Sequence, residues 1–119
     1  MPTITLPYDR PPLRPNERPH WAQKARITRQ IRQTSCALAK IGKIGPQPRS
    51  VVTAVWYPRD RRRRDAGSLT VTLKAAIDGL VDAGVWPDDD PSHVAEERVR
   101  VEPGPHTHPR IEIRIEETQ

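Results

Sequence analysis

The amino-acid sequence predicts an α+β domain, a small mixed β-sheet of about four strands with two main helices packed on it. Three observations predict this class. The run from Val51 to Tyr57 is β-branched and aromatic and apolar on both faces, as expected of a buried central strand. Two stretches carry apolar residues at helical spacing: Ile27, Ile31, Leu38 and Ile41 in the first, Leu73, Ile77, Leu80 and Val81 in the second. Near the end of the chain Ile111, Ile113 and Ile115 alternate with Glu112, Arg114 and Glu116, the period of a strand with one packed and one wet face.

Taken in order, Thr3 to Leu6 alternates as a short strand would. Pro7, Pro11, Pro12, Pro15 and Pro19 then forbid regular structure until His20, so that residues 1–20 read as an N-terminal strand and extended loop. A first helix is predicted over about 20–41, ended by Gly42, with Lys24, Arg26, Arg29 and Arg32 mostly off its apolar stripe. Gly45, Pro46 and Pro48 make the next turn. Pro58 ends the central strand, and the loop 59–68 carries five Arg and two Asp. A second helix follows over about 69–82, with Gly84 placed as a C-cap glycine. Asp88, Asp89 and Asp90 sit together in a turn between prolines. A third strand is predicted near 98–101 and the fourth at 111–116. Trp21 and Trp56 are assigned to the core; Trp86 is core or interface.

At 119 residues the chain has the size of one domain, 1–119, long enough for one modest core. With no Phe and 34% apolar residues, that core rests on Val, Ile, Leu and Ala, so dimerisation is a natural way to bury more surface. Periodic apolar segments beside 29% charged residues argue against disorder. The balance of 20 Lys+Arg against 15 Asp+Glu gives +5, with Arg far ahead of Lys, which suits bidentate contacts to phosphate and favours a nucleic-acid partner. A lone Cys36 excludes an internal disulfide framework and a Cys-pair zinc knuckle, and points to reducing cytoplasm. No run approaches the ~18 apolar residues of a membrane span, and no apolar signal segment follows Met1, so the expectation is a cytoplasmic protein with no membrane partner.

Four features could carry chemistry: Arg61, Arg62, Arg63 and Arg64 running into Asp65; Lys74 on the second helix; the triplet Asp88 to Asp90; and the N-terminal Pro11-Pro12-Leu13 with Asn16, Arg18, His20 and Trp21. Each has a plainer reading. A charge run alone is usually a solvated face, an acidic triplet between prolines a polar turn, and Lys74 with Asp78 an ordinary i, i+4 pair. His106 and His108, flanked by Pro105 and Pro109 with no further ligand spaced nearby, read as a hairpin loop rather than a metal site. Asn16, Arg18 and His20 either bond the loop to itself or contact DNA. A ribosomal-type RNA-binding protein fits the charge but leaves the acids unexplained.

Together these residues resemble one family. The stretch Trp56-Tyr57-Pro58-Arg59 through Arg64-Asp65, then Leu73-Lys74-Ala75, Ile77-Asp78-Gly79-Leu80, Asp82-Ala83-Gly84 and Asp88-Asp89 is similar to the core of the RusA-like Holliday junction resolvases of phages and prophages. The N-terminal motif resembles that family's opening. The resemblance spans most of the chain in the right order and implies a homodimer of small α/β subunits that binds four-way DNA junctions and cuts them by paired symmetric nicks with Mg²⁺ or Mn²⁺, with no small-molecule cofactor. By position it makes Asp65 the first catalytic aspartate, Lys74 the catalytic lysine, and Asp88 with Asp89 the closing acidic pair, so that Asp65, Asp88 and Asp89 are the implied metal ligands. With the attachment of Arg61, Arg62, Arg63 and Arg64 to Asp65 it favours DNA contact for that run, and Asn16, Arg18 and His20 are further candidates for DNA contact. The family's usual Asp-x-Asp-Asn is here Asp65-Ala66-Gly67-Ser68, so a carboxylate and its neighbouring amide are missing. That departure opens a second reading, a non-catalytic junction-binding dimer. Hydrolysis of a phosphodiester needs hard cations on oxygen ligands; Asp60 and Asp90 are alternative donors that spacing alone does not separate.

Overall fold

A computed structural model describes residues 1–13 and 20–118. Its elements are β1 (Thr3–Leu6), α1 (Trp21–Ile41), β2 (Ser50–Tyr57), a 3-10 turn (Ala66–Leu69), α2 (Thr70–Asp82), β3 (Val94–Val101) and β4 (Arg110–Glu117). The strands form one mixed sheet in the order β1-β4-β2-β3. β2 pairs parallel with β3 and antiparallel with β4, and β1 pairs antiparallel with β4. β2, the 3-10 turn, α2 and β3 thus form a βαβ crossover, the connection a parallel pair requires.

Sheet pleating sorts the residues. Ile4 and Leu6, Val52, Ala54 and Trp56, and Ile111, Ile113 and Ile115 enter one core with Ile31 and Ala39 of α1 and Leu73, Ala76, Ile77 and Leu80 of α2. The opposite face carries Arg110, Glu112 and Arg114 of β4 beside Tyr57. There Arg110 Nε donates to Glu112 Oε2 at 2.9 Å, the Arg110 guanidinium lies 3.9 Å from the Tyr57 ring centre, and Arg114 reaches both Glu112 Oε1 at 3.1 Å and the Tyr57 hydroxyl. Partial burial raises the Glu112 pKa, but hydrogen bonds from Arg110 and Arg114 outweigh it and the carboxyl sits below its ordinary value.

Both helices form where the apolar spacing places them, and Ile27, Ile31 and Leu38 of the predicted α1 stripe face the core. The fully buried residues of α1 are Ile31, Ser35 and Ala39. Trp21 and Ile41, expected in the core, are each 77% exposed. They are the first and last residues of α1, whereas its contact with α2 lies between them. A Cβ built on Gly79 of α2 would come within 2.2 Å of the Arg32 carbonyl oxygen and 2.8 Å of Ser35 Cβ, and Ser35 Oγ donates to the Ala76 carbonyl at 2.7 Å. Small residues let the backbones approach, and a reading of large aliphatic spacing does not detect such a contact. Arg32 closes the edge with a two-pronged pair to Asp82, Nε to Oδ2 at 2.6 Å and Nη2 to Oδ1 at 2.8 Å.

Two other expectations change. β3 begins at Val94, four residues before the predicted start, because it is an edge strand whose Glu96, Glu97 and Arg98 stay in water while their backbone pairs with β2. The segment holding His106 and His108 is no hairpin: β3 and β4 lie on opposite sides of β2, so residues 102–109 cross its C-terminal end. Glu102 N donates to the Trp56 carbonyl at 2.9 Å, the Tyr57 and His106 rings meet edge to face, and a Cβ on Gly104 would stand 2.4 Å from the Asp60 carbonyl oxygen. Gly84, at φ +87°, fills the left-handed position after α2 as predicted. Trp86 is core, with its indole N–H donating to the Pro48 carbonyl at 3.2 Å.

Gly79→Ala is expected to lower stability by about 1–3 kcal/mol through overpacking, read as a lower urea midpoint. Asp82 is held below its ordinary pKa by the Arg32 hydrogen bond, so its contribution is present above the unfolded-state value of about 3.9 and lost as pH falls through the lower folded-state value. Urea midpoints taken down a pH series should fall in that acid range, and less steeply in Asp82→Asn.

Candidate nucleic-acid interface and acidic site

The arginine cluster follows the C-terminal end of β2. Pro58 stops the strand, and the arginine loop folds back on it. Asp60 organises that loop: its carboxylate accepts from the Arg62 backbone N–H at 3.0 Å and pairs with Arg64 Nη2 at 2.6 Å. The Arg62 N–H and the Arg64 guanidinium hold the Asp60 carboxyl below its ordinary value. Arg64 is turned inward, 16% exposed, with its guanidinium 5.2 Å from the Trp56 ring centre and Nη1 bonded to the carbonyls of Asp60 and Arg62. It shapes the loop more than it reaches outward, whereas Arg61, Arg62 and Arg63 are exposed.

The result is a cleft of about 560 Å³ lined by Arg10, Arg59, Arg62, Arg63 and Arg64, with Asp9, Asp60, Pro11 and Trp56. Trp56 Nε1 donates to the Asp9 carbonyl at 3.0 Å and Arg59 pairs with the Asp9 carboxylate, which fastens the N-terminal loop as one wall. Sequence reasoning missed Arg10 and Arg59 as lining residues. Arg59 falls in the charged loop 59–68, but nothing local sets Arg10 beside it; the meeting of the two segments is tertiary. A groove rich in forked guanidiniums fits phosphate oxygens.

Asp65 follows directly and caps the 3-10 turn, its Oδ1 accepting from Gly67 N at 2.9 Å while Ser68 Oγ donates to the Asp65 carbonyl at 2.7 Å. That turn feeds α2, whose fifth residue is Lys74. The Lys74 ammonium pairs with the Asp89 carboxylate and not with Asp78, its i, i+4 neighbour. The hydrogen bond to Asp89 raises the Lys74 pKa, and the one from Lys74 lowers that of Asp89, so the pair is ionised. Asp88 Oδ1 accepts from Asp89 N at 2.8 Å, and Asp90 pairs with Ser92 and His93 in the turn that opens β3.

The structure therefore brings Lys74 to Asp89, with Asp88 beside Asp89 in the same turn. Asp65 bonds within its own turn. Among the described residues no three His, Cys, Asp or Glu side chains converge as a ligand cluster. His20 caps α1, with Nδ1 accepting from Ala22 N at 3.2 Å; Asn16 and Arg18, expected to contact DNA, lie outside the described residues. Among the described residues no helix is long and apolar enough to cross a membrane. Compared with known proteins, the chain matches no family model and no curated protein.

If the cleft binds nucleic acid, Arg62→Ala with Arg63→Ala should flatten the dependence of log affinity on log salt for a four-way junction by about one to two units. A fluorescence anisotropy titration across a salt series measures it; an unchanged slope places the loop away from DNA.

Proposed function

We propose that this chain is a metal-dependent endodeoxyribonuclease of RusA-like type that resolves four-way (Holliday) or branched DNA junctions in recombination and repair. The observation that carries the reading is the pairing of Lys74 with Asp89, 15 residues apart, on the helix leading out of the arginine loop. The sequence resemblance assigns catalysis to those same two residues and to Asp65, and the basic cleft supports a polyanionic substrate. A two-fold homodimer completes the reading, because paired nicks need two sites related by symmetry.

The donors suit Mg²⁺ or Mn²⁺ in kind: Asp65, Asp88 and Asp89 offer the hard oxygens such cations take. The three do not converge on one point, so an ion here would be held through few protein oxygens; Asp65 and Asp88 each commit one oxygen to a backbone N–H and Asp89 commits one to Lys74. A bound cation would neutralise phosphate charge and acidify the attacking water. Arg62 and Arg63 hold flanking phosphates. Lys74, kept charged by Asp89, faces the negative charge that develops as the water oxygen joins phosphorus and the bond to the leaving sugar oxygen breaks.

One observation favours the second reading, a junction-binding dimer without cleavage. Where the resembling family has a second carboxylate, this chain presents Gly67, which gives Asp65 a backbone N–H and no ligand. A Cβ at position 67 would lie 3.3 Å from Asp65 Oδ1, so Gly67→Asp would return a carboxylate beside Asp65.

Cleavage of a synthetic four-way junction over a Mg²⁺ and Mn²⁺ series decides between them. The nuclease reading expects slow cutting at high metal concentration, a gain in Gly67→Asp with Ser68→Asn, and loss of that gain when Asp65→Asn is added. Tight junction binding with no cutting by either protein establishes the binding reading. Cutting at low metal that the restored protein does not exceed moves the role to another carboxylate, with Asp60 and Asp90 the first to test.

A further inference from the structure

The first six residues of α1, Trp21 to Arg26, are all exposed, and its buried face begins only further along the helix. At 1.5 Å per residue this is roughly 9 Å of helix whose side chains stay largely in water. Core formation does not require it. This end of α1 presents the largest apolar side chain that the fold leaves in water, Trp21 at 77% exposure, whereas Trp56 and Trp86 are buried.

Trp21, Lys24, Ala25, Thr28 and Arg29 follow one another at helical spacing along a single face and line a groove of about 450 Å³ with Arg32 and, from α2, Asp78. The indole is approached by the His20 ring, with centres 5.5 Å apart. Chemistry limits what can lie there. The 21 residues of α1 include Lys24, Arg26, Arg29, Arg32 and Lys40 and no carboxylate. In the groove Lys24, Arg29 and Arg32 outnumber the single carboxylate of Asp78, so a polyanion with flat apolar rings matches both the charge and the exposed indole.

We propose that the N-terminal end of α1 is a second nucleic-acid surface, on which Trp21 stacks an unpaired base while Lys24 and Arg29 hold the flanking phosphates. It rests on the nucleic-acid reading above and adds a preference for single-stranded nucleotides, such as those exposed where arms of a branched DNA separate. Arg32 stays with Asp82 and takes no part.

Binding of a labelled oligothymidylate of roughly 15 nucleotides and of a blunt linear duplex, followed by anisotropy, tests it. Trp21→Ala should weaken the single strand by roughly tenfold or more and leave the duplex nearly unchanged; Trp21→Phe should restore most of the loss. Oligothymidylate should also quench an indole signal in the natural protein that is missing from Trp21→Phe. Equal single-strand affinity in Trp21→Ala and the natural protein overturns the proposal, and so does a Trp21→Ala chain whose oligomer mass falls by light scattering, which would make this surface a subunit interface. If Trp21→Ala changes nothing while Arg62→Ala with Arg63→Ala still loses junction binding, only the α1 surface fails. If the natural protein binds neither DNA, both readings fail.

Discussion

The constraint on which the rest depends is that β2 must satisfy its backbone on both sides at once. An inner strand with β3 parallel on one edge and β4 antiparallel on the other cannot be reached by two hairpins. The chain leaves β2 through the arginine loop, returns along α2 to start β3, and crosses the end of β2 again before β4. Both excursions converge on Trp56 to Asp60. Trp56 takes contacts from every direction there: its carbonyl accepts from Glu102, its indole bonds Asp9, and its ring underlies Arg64. The basic cleft is a consequence of this crowding.

Within that frame the charges are not equivalent. Asp60 and Arg64 spend their valence on loop shape, while Arg62 and Arg63 stand in the cleft with their guanidiniums in water. Lys74 and Asp89 belong to elements separated by most of α2, and they meet because the turn carrying Asp88 to Asp90 lies back along that helix. An ionised pair at moderate exposure contributes little to stability. What the pair does is hold a cation and a carboxylate at one place on the surface.

The helix layer shows the same division. α2 is apolar and nearly sunk in the core, and it meets α1 through Gly79, Ser35 and Ala76 at a separation that admits no larger side chain. α1 is amphipathic only over its second half; its first turns are basic and unsupported. Stability thus resides in the small residues at the crossing, and surface chemistry in the end of α1 that the crossing leaves free.

The sequence by itself determined the elements. Alternating isoleucines, helical spacing, Pro58 and Gly84 act over a few residues, and local backbone physics suffices to place β4, α2 and the end of β2. Residue types for the candidate site were also legible, because Arg61 to Asp65, Lys74 and Asp88 to Asp90 lie in compact runs. Tertiary structure decided what those runs touch. Trp21 and Ile41 look like core from residue type and spacing, yet they are the two ends of α1, and how far the helix runs past its contact with Gly79 is set by the packing of another helix. An edge strand such as β3 needs no apolar pattern, because its backbone pairs on one side while its side chains remain in water. Arg10 and Arg59 reach one cleft only because Asp9 is bonded to Trp56, 47 residues away. Periodicity records what neighbours in sequence share, and contacts across that distance leave no periodic trace.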